Sequence, residues 1–206
     1  MNSKKFLAFA MAAAMTLSMT ACGGSGSGAA SSGTDSAAGT AFKLGGTGPL
    51  TGGASIYGLA AQRGAQIAVD EINAQGGAIQ FDLKYEDDQH DPEKAVNAYN
   101  ALKEWGMQIS LGSVTSQPGI STSALSQEDG IFALTPSASS PDVIAGKDNV
   151  YQMCFSDPNQ GLASAQYIAE QQLGEKIFII WKSDDNYSTG IKDKFMAEAD
   201  KLGLNV

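Results

Sequence analysis

The chain has few of the residues on which enzymes and nucleic-acid-binding proteins depend. Its 206 residues include two cysteines and one histidine, and the formal net charge is −9 at pH 7. With acidic residues in such excess, the sequence has no basic patch for nucleic acid and no lysine-rich helix for an anionic membrane surface. The composition therefore predicts that no nucleic acid is a partner.

Motifs for cofactor chemistry and catalysis are also missing. No Gly-Lys-Ser/Thr phosphate loop occurs, and Gly46-Thr-Gly48-Pro-Leu-Thr51 has threonine where a dinucleotide fingerprint needs its third glycine. Any Ser-His-Asp chemistry must pass through His90, the only histidine. His90 stands beside Asp91 at a predicted helix start, which favours an exposed loop histidine. An α/β hydrolase-type enzyme is therefore the weakest alternative, and no cofactor is predicted.

One acidic stretch offers oxygen ligands for a cation. Glu86, Asp87, Asp88 and Asp91 are close together in sequence, and carboxylates are ligands of hard metal ions. A solvated loop followed by a helix cap explains the same residues and is the favoured interpretation. No metal site is predicted.

Long hydrophobic runs are absent as well. The longest, Phe6 to Ala21, is too short for the ~20 residues of a membrane-spanning helix. Lys4 and Lys5 precede it and Cys22 follows it, so residues 1–21 resemble a bacterial lipoprotein signal peptide. The resemblance implies a diacylglycerol on Cys22 that anchors the protein to the extracytoplasmic face of the cell membrane. An ordinary secretion signal with an incidental cysteine is the alternative.

A Gly/Ser/Ala/Thr-rich segment, residues 22–41, follows the signal. Its apolar surface is too small to offset the entropy of ordering, so it is predicted to be a flexible linker. Folded sequence is expected from Phe42. Because a lipidated Cys22 cannot pair with Cys154, the second cysteine is predicted to be a buried free thiol.

From Phe42 onward, strand and helix patterns alternate, which predicts an α/β fold with a parallel sheet and helices on both faces. Strands are predicted at Phe42–Gly46, Ile79–Tyr85, Gln108–Leu111, Ile131–Leu134, Asn149–Met153 and Lys176–Trp181. Helices are predicted from about Gly58 to Ala74, from Asp91-Pro92 to Gly106, after Pro118, from Asp157-Pro158, and around Ile191, Phe195 and Leu202.

Ligands of open α/β sheets bind beyond the carboxyl ends of the strands. The loops expected there are Thr47–Tyr57, Asp87–Asp91, Gly112–Gly119, Thr135–Pro141 and Ser183–Ser188. Hydroxyls and free N–H groups in the third and fourth of these loops suit an anion such as a carboxylate. Plain helix caps are the alternative for either loop taken alone. Tyr57 and Tyr187 are expected to cover a ligand ammonium or its apolar tail.

Several stretches resemble the substrate-binding proteins of ABC transporters for branched-chain amino acids, the leucine/isoleucine/valine-binding type. They are Gly48-Pro-Leu-Thr-Gly52 with Tyr57-Gly58, Ala68 to Gly77, Tyr85-Glu-Asp-Asp88 with Asp91-Pro92, Ile109 to Ser116, Thr135 to Ser139, Asp157 with Gln160-Gly161, and Tyr187-Ser-Thr-Gly190. The resemblance implies a periplasmic-binding-protein type I fold, in which two α/β lobes close on a small ligand. It also implies an amino acid ligand, an ABC permease as partner, and a monomer that is not an enzyme.

The resemblance assigns ligand-binding roles to six residues. Those that grip the carboxylate and ammonium or line the pocket are Tyr57, Ser116, Ser137, Ala138, Ser139 and Tyr187. A ligand-sensing receptor domain of the same fold is the alternative function.

Members of the resembled family are much longer than this chain. Residues 42–158 are therefore expected to form the first lobe, and residues 159–206 the start of an incomplete second lobe. Such a fragment is expected to bind ligand poorly. It would also leave apolar residues such as Ile177 to Trp181 uncovered, which predicts poor solubility.

Overall fold

The computed structural model describes residues 40–206. The predicted signal peptide, Cys22 and residues 22–39 of the predicted linker lie outside the described residues. The first strand begins at Thr40, slightly before the expected start at Phe42. Within the described part of the chain, no helix combines the length and apolar character needed to cross a bilayer.

Five strands form one sheet in the order β2-β1-β3-β4-β5, and every neighbouring pair is parallel. Their bounds are β1 Thr40–Gly48, β2 Ile79–Asp87, β3 Ile109–Ser113, β4 Phe132–Thr135 and β5 Val150–Gln152. The parallel α/β sheet predicted from the sequence is thus confirmed. Only the sixth predicted strand is missing from it.

Within residues 40–206, five helices accompany the sheet. They are α1 Ser55–Ala74, α2 Pro92–Trp105, α3 Ser116–Glu128, α4 Asp157–Gln171 and α5 Asn186–Leu202. Right-handed crossovers put α1 on one face of the sheet, and α2 and α3 on the other. The packing of α2 against α3 agrees with this arrangement. A short 3-10 turn, Pro141–Val143, stands between β4 and β5.

The ends of α2 follow the local chemistry of the sequence. The Asp91 carboxylate accepts hydrogen bonds from the N–H groups of Glu93 and Lys94, both at 2.9 Å, as an N-cap should. Pro92 occupies the first helical position, where its missing N–H costs nothing. Gly106 ends the helix at φ 93°, a left-handed conformation that suits glycine. The predicted boundaries of this helix are confirmed.

Two other helix starts differ from expectation. Helix α3 begins at Ser116 rather than after Pro118, because proline is tolerated within a first helical turn. Helix α4 has Ser156 as its N-cap residue. The carboxylate of Asp157 therefore does not cap the helix, although Asp157-Pro158 resembles the start of α2.

Apolar side chains collect in three separate clusters. One lies under α2 and contains Tyr99, Leu102 and Met107. A second lies near β4 and β5, and a third joins α4 to α5 through Ala165, Phe195 and Ala199. The first two clusters pack around the sheet, while the third surrounds the helix pair that follows it.

The predicted strand Lys176–Trp181 is an unpaired extended segment. Ile177 and Ile179 pack against the α4–α5 cluster, whereas Phe178 and Ile180 are 90% and 99% exposed. This alternation is that of a strand, but a strand also needs ladder partners. Among the described residues, its one backbone hydrogen bond to another segment joins the Ile177 N–H to the carbonyl of Asn205, at 2.8 Å. The strand prediction was therefore wrong for this chain.

Candidate ligand-binding cleft

A cleft of about 400 Å³ opens at the carboxyl ends of the strands. Strand β1 has β2 on one side and β3 on the other, so the connections that leave β1 and β3 diverge to opposite faces. Such a switch point creates a crevice for ligands. The residues that line the cleft are Ala54, Tyr57, His90, Val114, Thr115, Ser116, Ser137, Cys154, Phe155, Asp185 and Tyr187. All five loops expected at this edge contribute to it.

The structure brings four of the six predicted ligand-binding residues together. Tyr57, Ser116, Ser137 and Tyr187 line the cleft, and the two tyrosines are 65% and 42% exposed. Ala138 and Ser139 do not line it, because their side chains are 0% and 3% exposed behind the wall. The ligand-binding role of all six residues stays a prediction.

Hydroxyl groups tie the strand ends together beneath the cleft. Ser113 Oγ lies 2.5 Å from Thr47 Oγ1 and 2.9 Å from Thr122 Oγ1. Thr135 Oγ1 donates to the Ser113 carbonyl at 2.7 Å. Ser137 Oγ likewise donates to the Val114 carbonyl at 2.6 Å. These bonds, of which the first three are buried, join β1, β3, β4 and α3, and they give the loops of the cleft a defined relative position.

The start of α3 leaves backbone donors open toward the cleft. Thr115 is its N-cap residue, but no side chain among residues 40–206 caps this helix. The Thr115 hydroxyl instead lies 2.9 Å from Nδ1 of His90. The first N–H groups of a helix have no partner within the helix. Pro118, the third helical residue, has no backbone N–H. The amides of Ser116 and Gln117 are therefore suited to bind an anion.

Two buried carboxylates lie on the opposite side, at the starts of α4 and α5. Asp185 is 7% exposed. Its Oδ2 caps α5 by accepting the Ser188 N–H at 2.9 Å, while its Oδ1 has no hydrogen-bond partner in the described part of the chain. Asp157 is fully buried, and burial, followed by the nearby charge of Asp185, raises the pKa of its carboxyl group. From the sequence, Asp157 is predicted as a helix start and as part of a stretch that carries the family resemblance. Asp185 is not predicted as a site residue, although it lies two residues before Tyr187, which is.

The acidic loop after β2 holds the loop that follows β1 at the cleft wall. The Asp87 carboxylate accepts the N–H groups of Leu50 and Gln89 at 2.8 and 3.0 Å and the Thr51 hydroxyl at 2.5 Å. Although burial alone would raise the pKa of Asp87, these hydrogen bonds lower it. Within residues 40–206, no three acidic, histidine or cysteine side chains converge as a metal site would require.

Within the described residues Cys154 is a free thiol; it is expected to be buried, but it is not fully so. It is half-buried at the cleft wall, because the segment after β5 runs along the edge of the cleft. Partial burial raises the pKa of the Cys154 thiol.

Asp88 is a buried carboxylate two residues before His90, which lines the cleft. It is 0% exposed, and its Oδ1 accepts the His90 N–H at 2.9 Å. Its Oδ2 has no hydrogen-bond partner within residues 40–206. Burial raises the pKa of Asp88 from 3.8 to about 6. The folded state therefore favours the neutral acid, and this contribution to stability is lost as the pH rises through about 6.

Replacing this carboxylate by an amide is expected to stabilise the protein at high pH. In Asp88→Asn, the free energy of unfolding should exceed that of the wild type by about 2 kcal/mol at pH 8, and by much less at pH 4. Urea denaturation at the two pH values measures the difference. The control Asp82→Asn, on an exposed residue of β2, should change stability little at either pH. An equal effect of Asp88→Asn at both pH values would contradict the prediction.

Fold and cleft together define an open, all-parallel α/β domain with a small-molecule cleft at its topological switch point. Residues 41–206 match the family described as periplasmic binding protein. The chain belongs to this family, which confirms the resemblance read from the sequence.

Individual relatives show the same similarity. The "Leu/Ile/Val-binding protein homolog 3" of Brucella melitensis is 32% identical over 179 residues, which cover 85% of this chain and 48% of that protein. Leucine-binding protein LivK of Thermotoga maritima superimposes with a TM-score of 0.75 at 26% identity, covering 80% of this chain and 47% of that one. LivJ of Streptococcus pneumoniae, solved with isoleucine, superimposes with a TM-score of 0.73 at 27% identity, covering 77% of this chain and 47% of that one. The chain spans about half the length of the curated relatives it matches.

Proposed function

We propose that this protein is an extracytoplasmic substrate-binding protein that captures an amino acid and delivers it to an ABC permease. The favoured ligands are branched-chain amino acids. Membership of the periplasmic binding protein family supports the binding role. The names of its relatives, together with the isoleucine bound to LivJ, support this class of ligand.

The observation that carries the proposal is the opposite polarity of the two sides of the cleft. On one side, the free amides of Ser116 and Gln117 at the start of α3 suit a carboxylate. On the other, Asp185 Oδ1 is an unpartnered acceptor within the described residues. A ligand ammonium would satisfy this oxygen and offset the cost of burying it. A free amino acid carries both complementary groups on one carbon atom.

Apolar surface makes up the rest of the cleft. Its wall contains three aromatic rings and one branched aliphatic side chain, those of Tyr57, Phe155, Tyr187 and Val114. Pockets for small ligands commonly combine such a wall with a few placed polar groups. The wall suits an aliphatic ligand side chain, which would become covered as the cleft closes.

An enzyme is disfavoured by the geometry at the single histidine. His90 Nδ1 lies 2.9 Å from Thr115 Oγ1, so Thr115 is the only candidate nucleophile that His90 touches among the described residues. The other ring nitrogen, Nε2, is 3.8 Å from Asp185 Oδ1, which exceeds a hydrogen-bond distance. A catalytic histidine needs a third group that orients it, and Asp185 does not fill that role.

The remaining parts of the proposal rest on the sequence. Residues 1–21 and Cys22 support secretion followed by lipid anchoring, and a tethered monomeric carrier can dock repeatedly on one permease. Residues 42–158 and 159–206 are proposed to belong to two lobes that close on the ligand. The hydrogen bond from Gln117 Nε2 to the Asp184 carbonyl, at 2.9 Å, connects these two parts beside the cleft.

Binding tests the proposal directly. A thermal melt of the chain with and without a panel of free amino acids should show its highest transition temperature with leucine, isoleucine or valine, because a ligand stabilises the folded state that it binds. The shift should be small if the second lobe is incomplete, as expected above, and a large shift would show that the chain binds well without it. The variant Tyr187→Ala should bind the same amino acid about tenfold more weakly in calorimetry, since it loses an aromatic wall.

Tyr167→Ala is the matched control, because Tyr167 is an exposed tyrosine of α4 outside the cleft, at 59% exposure. Its affinity should equal that of the wild type. The proposed ligand class is wrong if no amino acid raises the transition temperature, either of this chain or of the full-length protein that its gene encodes.

A further inference from the structure

His90 lines the cleft but has no part in the binding scheme described above. Its backbone adopts φ 61°, directly after Gln89 at φ 51°. Two successive non-glycine residues in the left-handed region cost free energy and persist only where surrounding contacts hold them. The His90 N–H donates to the buried carboxylate of Asp88 at 2.9 Å. This strained loop therefore directs the imidazole toward the cleft.

The ring holds the one hydroxyl that is placed to cap α3. Thr115 occupies the N-cap position with extended backbone angles, φ −117° and ψ 154°, as N-cap residues do. A threonine there normally accepts the N–H of the second or third helical residue. The third residue is Pro118, so Gln117 has the only N–H for such a bond. The Thr115 hydroxyl lies 2.9 Å from His90 Nδ1 instead.

We propose that His90 is a positioning residue: by holding the Thr115 hydroxyl, it keeps the Gln117 N–H free for the carboxylate of the ligand. The inference rests on the proposed function, because it assumes that a carboxylate binds at the start of α3. A second observation points to a ligand in the same place. Asp185 lines the cleft. Its Oδ1 is buried 3.8 Å from His90 Nε2 and has no hydrogen-bond partner in the described part of the chain.

Without the imidazole, the Thr115 hydroxyl is released and its side chain can rotate to cap the helix. The carboxylate then loses one of two N–H donors, or must displace the threonine to regain it. An N-cap bond of typical strength corresponds to about a fivefold change in affinity. His90→Gly removes the ring without straining the left-handed backbone, since glycine adopts φ > 0 readily.

A double-mutant cycle separates this effect from loss of a direct contact. By calorimetry with L-leucine, His90→Gly should bind about fivefold more weakly than the wild type. In a Thr115→Val background, where no hydroxyl can cap, the same His90→Gly change should alter affinity by less than about twofold. An equal loss in both backgrounds overturns the proposal, because His90 would then act on the ligand directly. No loss in the wild-type background overturns it as well.

Gln172→Gly is the matched control. Gln172 also has a left-handed backbone, at φ 51°, but it is exposed at the end of α4, away from the cleft. This substitution should leave the affinity for leucine unchanged. A loss equal to that of His90→Gly would attribute the effect to glycine in the backbone and would overturn the proposal.

A measurement without ligand keeps the inference separate from the proposed function. Amide hydrogen exchange of Gln117 should be fast in the ligand-free wild type and slower in His90→Gly, because the released threonine then caps this N–H. In Thr115→Val/His90→Gly it should be fast again. If exchange follows this pattern while leucine does not bind, the positioning role of His90 stands and the proposed ligand is wrong. Unchanged exchange in His90→Gly overturns the positioning role, whatever binds.

Discussion

Substituting Gly58 by alanine is expected to lower the free energy of unfolding by about 3 kcal/mol. Gly58 is buried near the start of α1, where the helix crosses the segment that leaves β1. A Cβ there would lie 2.6 Å from the carbonyl carbon of Pro49 and 2.9 Å from its nitrogen. Because these are backbone atoms, no side-chain rotation relieves the contact, and the helix must move. Urea denaturation measures the loss.

The same substitution should also disturb the cleft. Tyr57 precedes Gly58 in the chain and lines the cleft, so a displaced α1 carries its ring away from the other wall residues. Gly64→Ala, in the same helix, is the control, because a Cβ at Gly64 has no atom within 4 Å. It should raise the free energy of unfolding by about 0.5–1 kcal/mol through helix propensity alone. If both substitutions shift stability alike, close packing at Gly58 is not the cause.

The second large effect is expected in the extended segment after α4, where adjacent isoleucines face opposite ways. Ile179 packs against the α4–α5 cluster. Ile179→Glu should therefore lower the free energy of unfolding of this part of the chain by about 2–3 kcal/mol, since it places a charge among apolar side chains. Urea denaturation followed by the fluorescence of Trp181, which lies in the same segment, measures the change.

Ile180→Glu is the matched change on the other face. Ile180 is 99% exposed, so stability should stay within about 0.5 kcal/mol of the wild type. Light scattering of the concentrated chain should nevertheless fall, because Ile180 and Phe178 form an exposed apolar surface that favours association. Equal destabilisation by the two substitutions would show that the segment is not packed on one side alone.

Local chemistry made the boundaries of α2 predictable. Asp91-Pro92 and Gly106 mark the ends of α2 because a cap, a proline and a left-handed glycine act within a few residues. The period of apolar residues likewise predicted five parallel strands in the correct places. The extended segment at Lys176–Trp181 was not predicted correctly, because strand pairing depends on partners that sequence periodicity does not report.

The candidate site was predictable to the level of loops. Carboxyl-terminal loops of parallel strands meet at one edge, so Tyr57, Ser116, Ser137 and Tyr187 come together as expected. The burial of Ala138 and Ser139 was not predicted, since exposure depends on how the loop after β4 packs against α3 and α4. The His90–Thr115 hydrogen bond joins two residues that are 25 positions apart in the sequence, so no local sequence pattern predicts it.

By itself, the sequence determined that this protein is an acidic, parallel α/β domain with its polar loops at one edge of the sheet. It also showed that the stretches resembling the family continue from Phe42 to the last residues. These properties follow from local propensity, apolar period and composition, which act over short distances along the chain. Only the tertiary structure decided which groups face the cleft, that Asp185 approaches His90, and that α3 is left uncapped. Those features depend on side-chain directions and on contacts between segments that are far apart in the sequence. Such segments become neighbours only in the folded structure, so short-range sequence patterns do not report them.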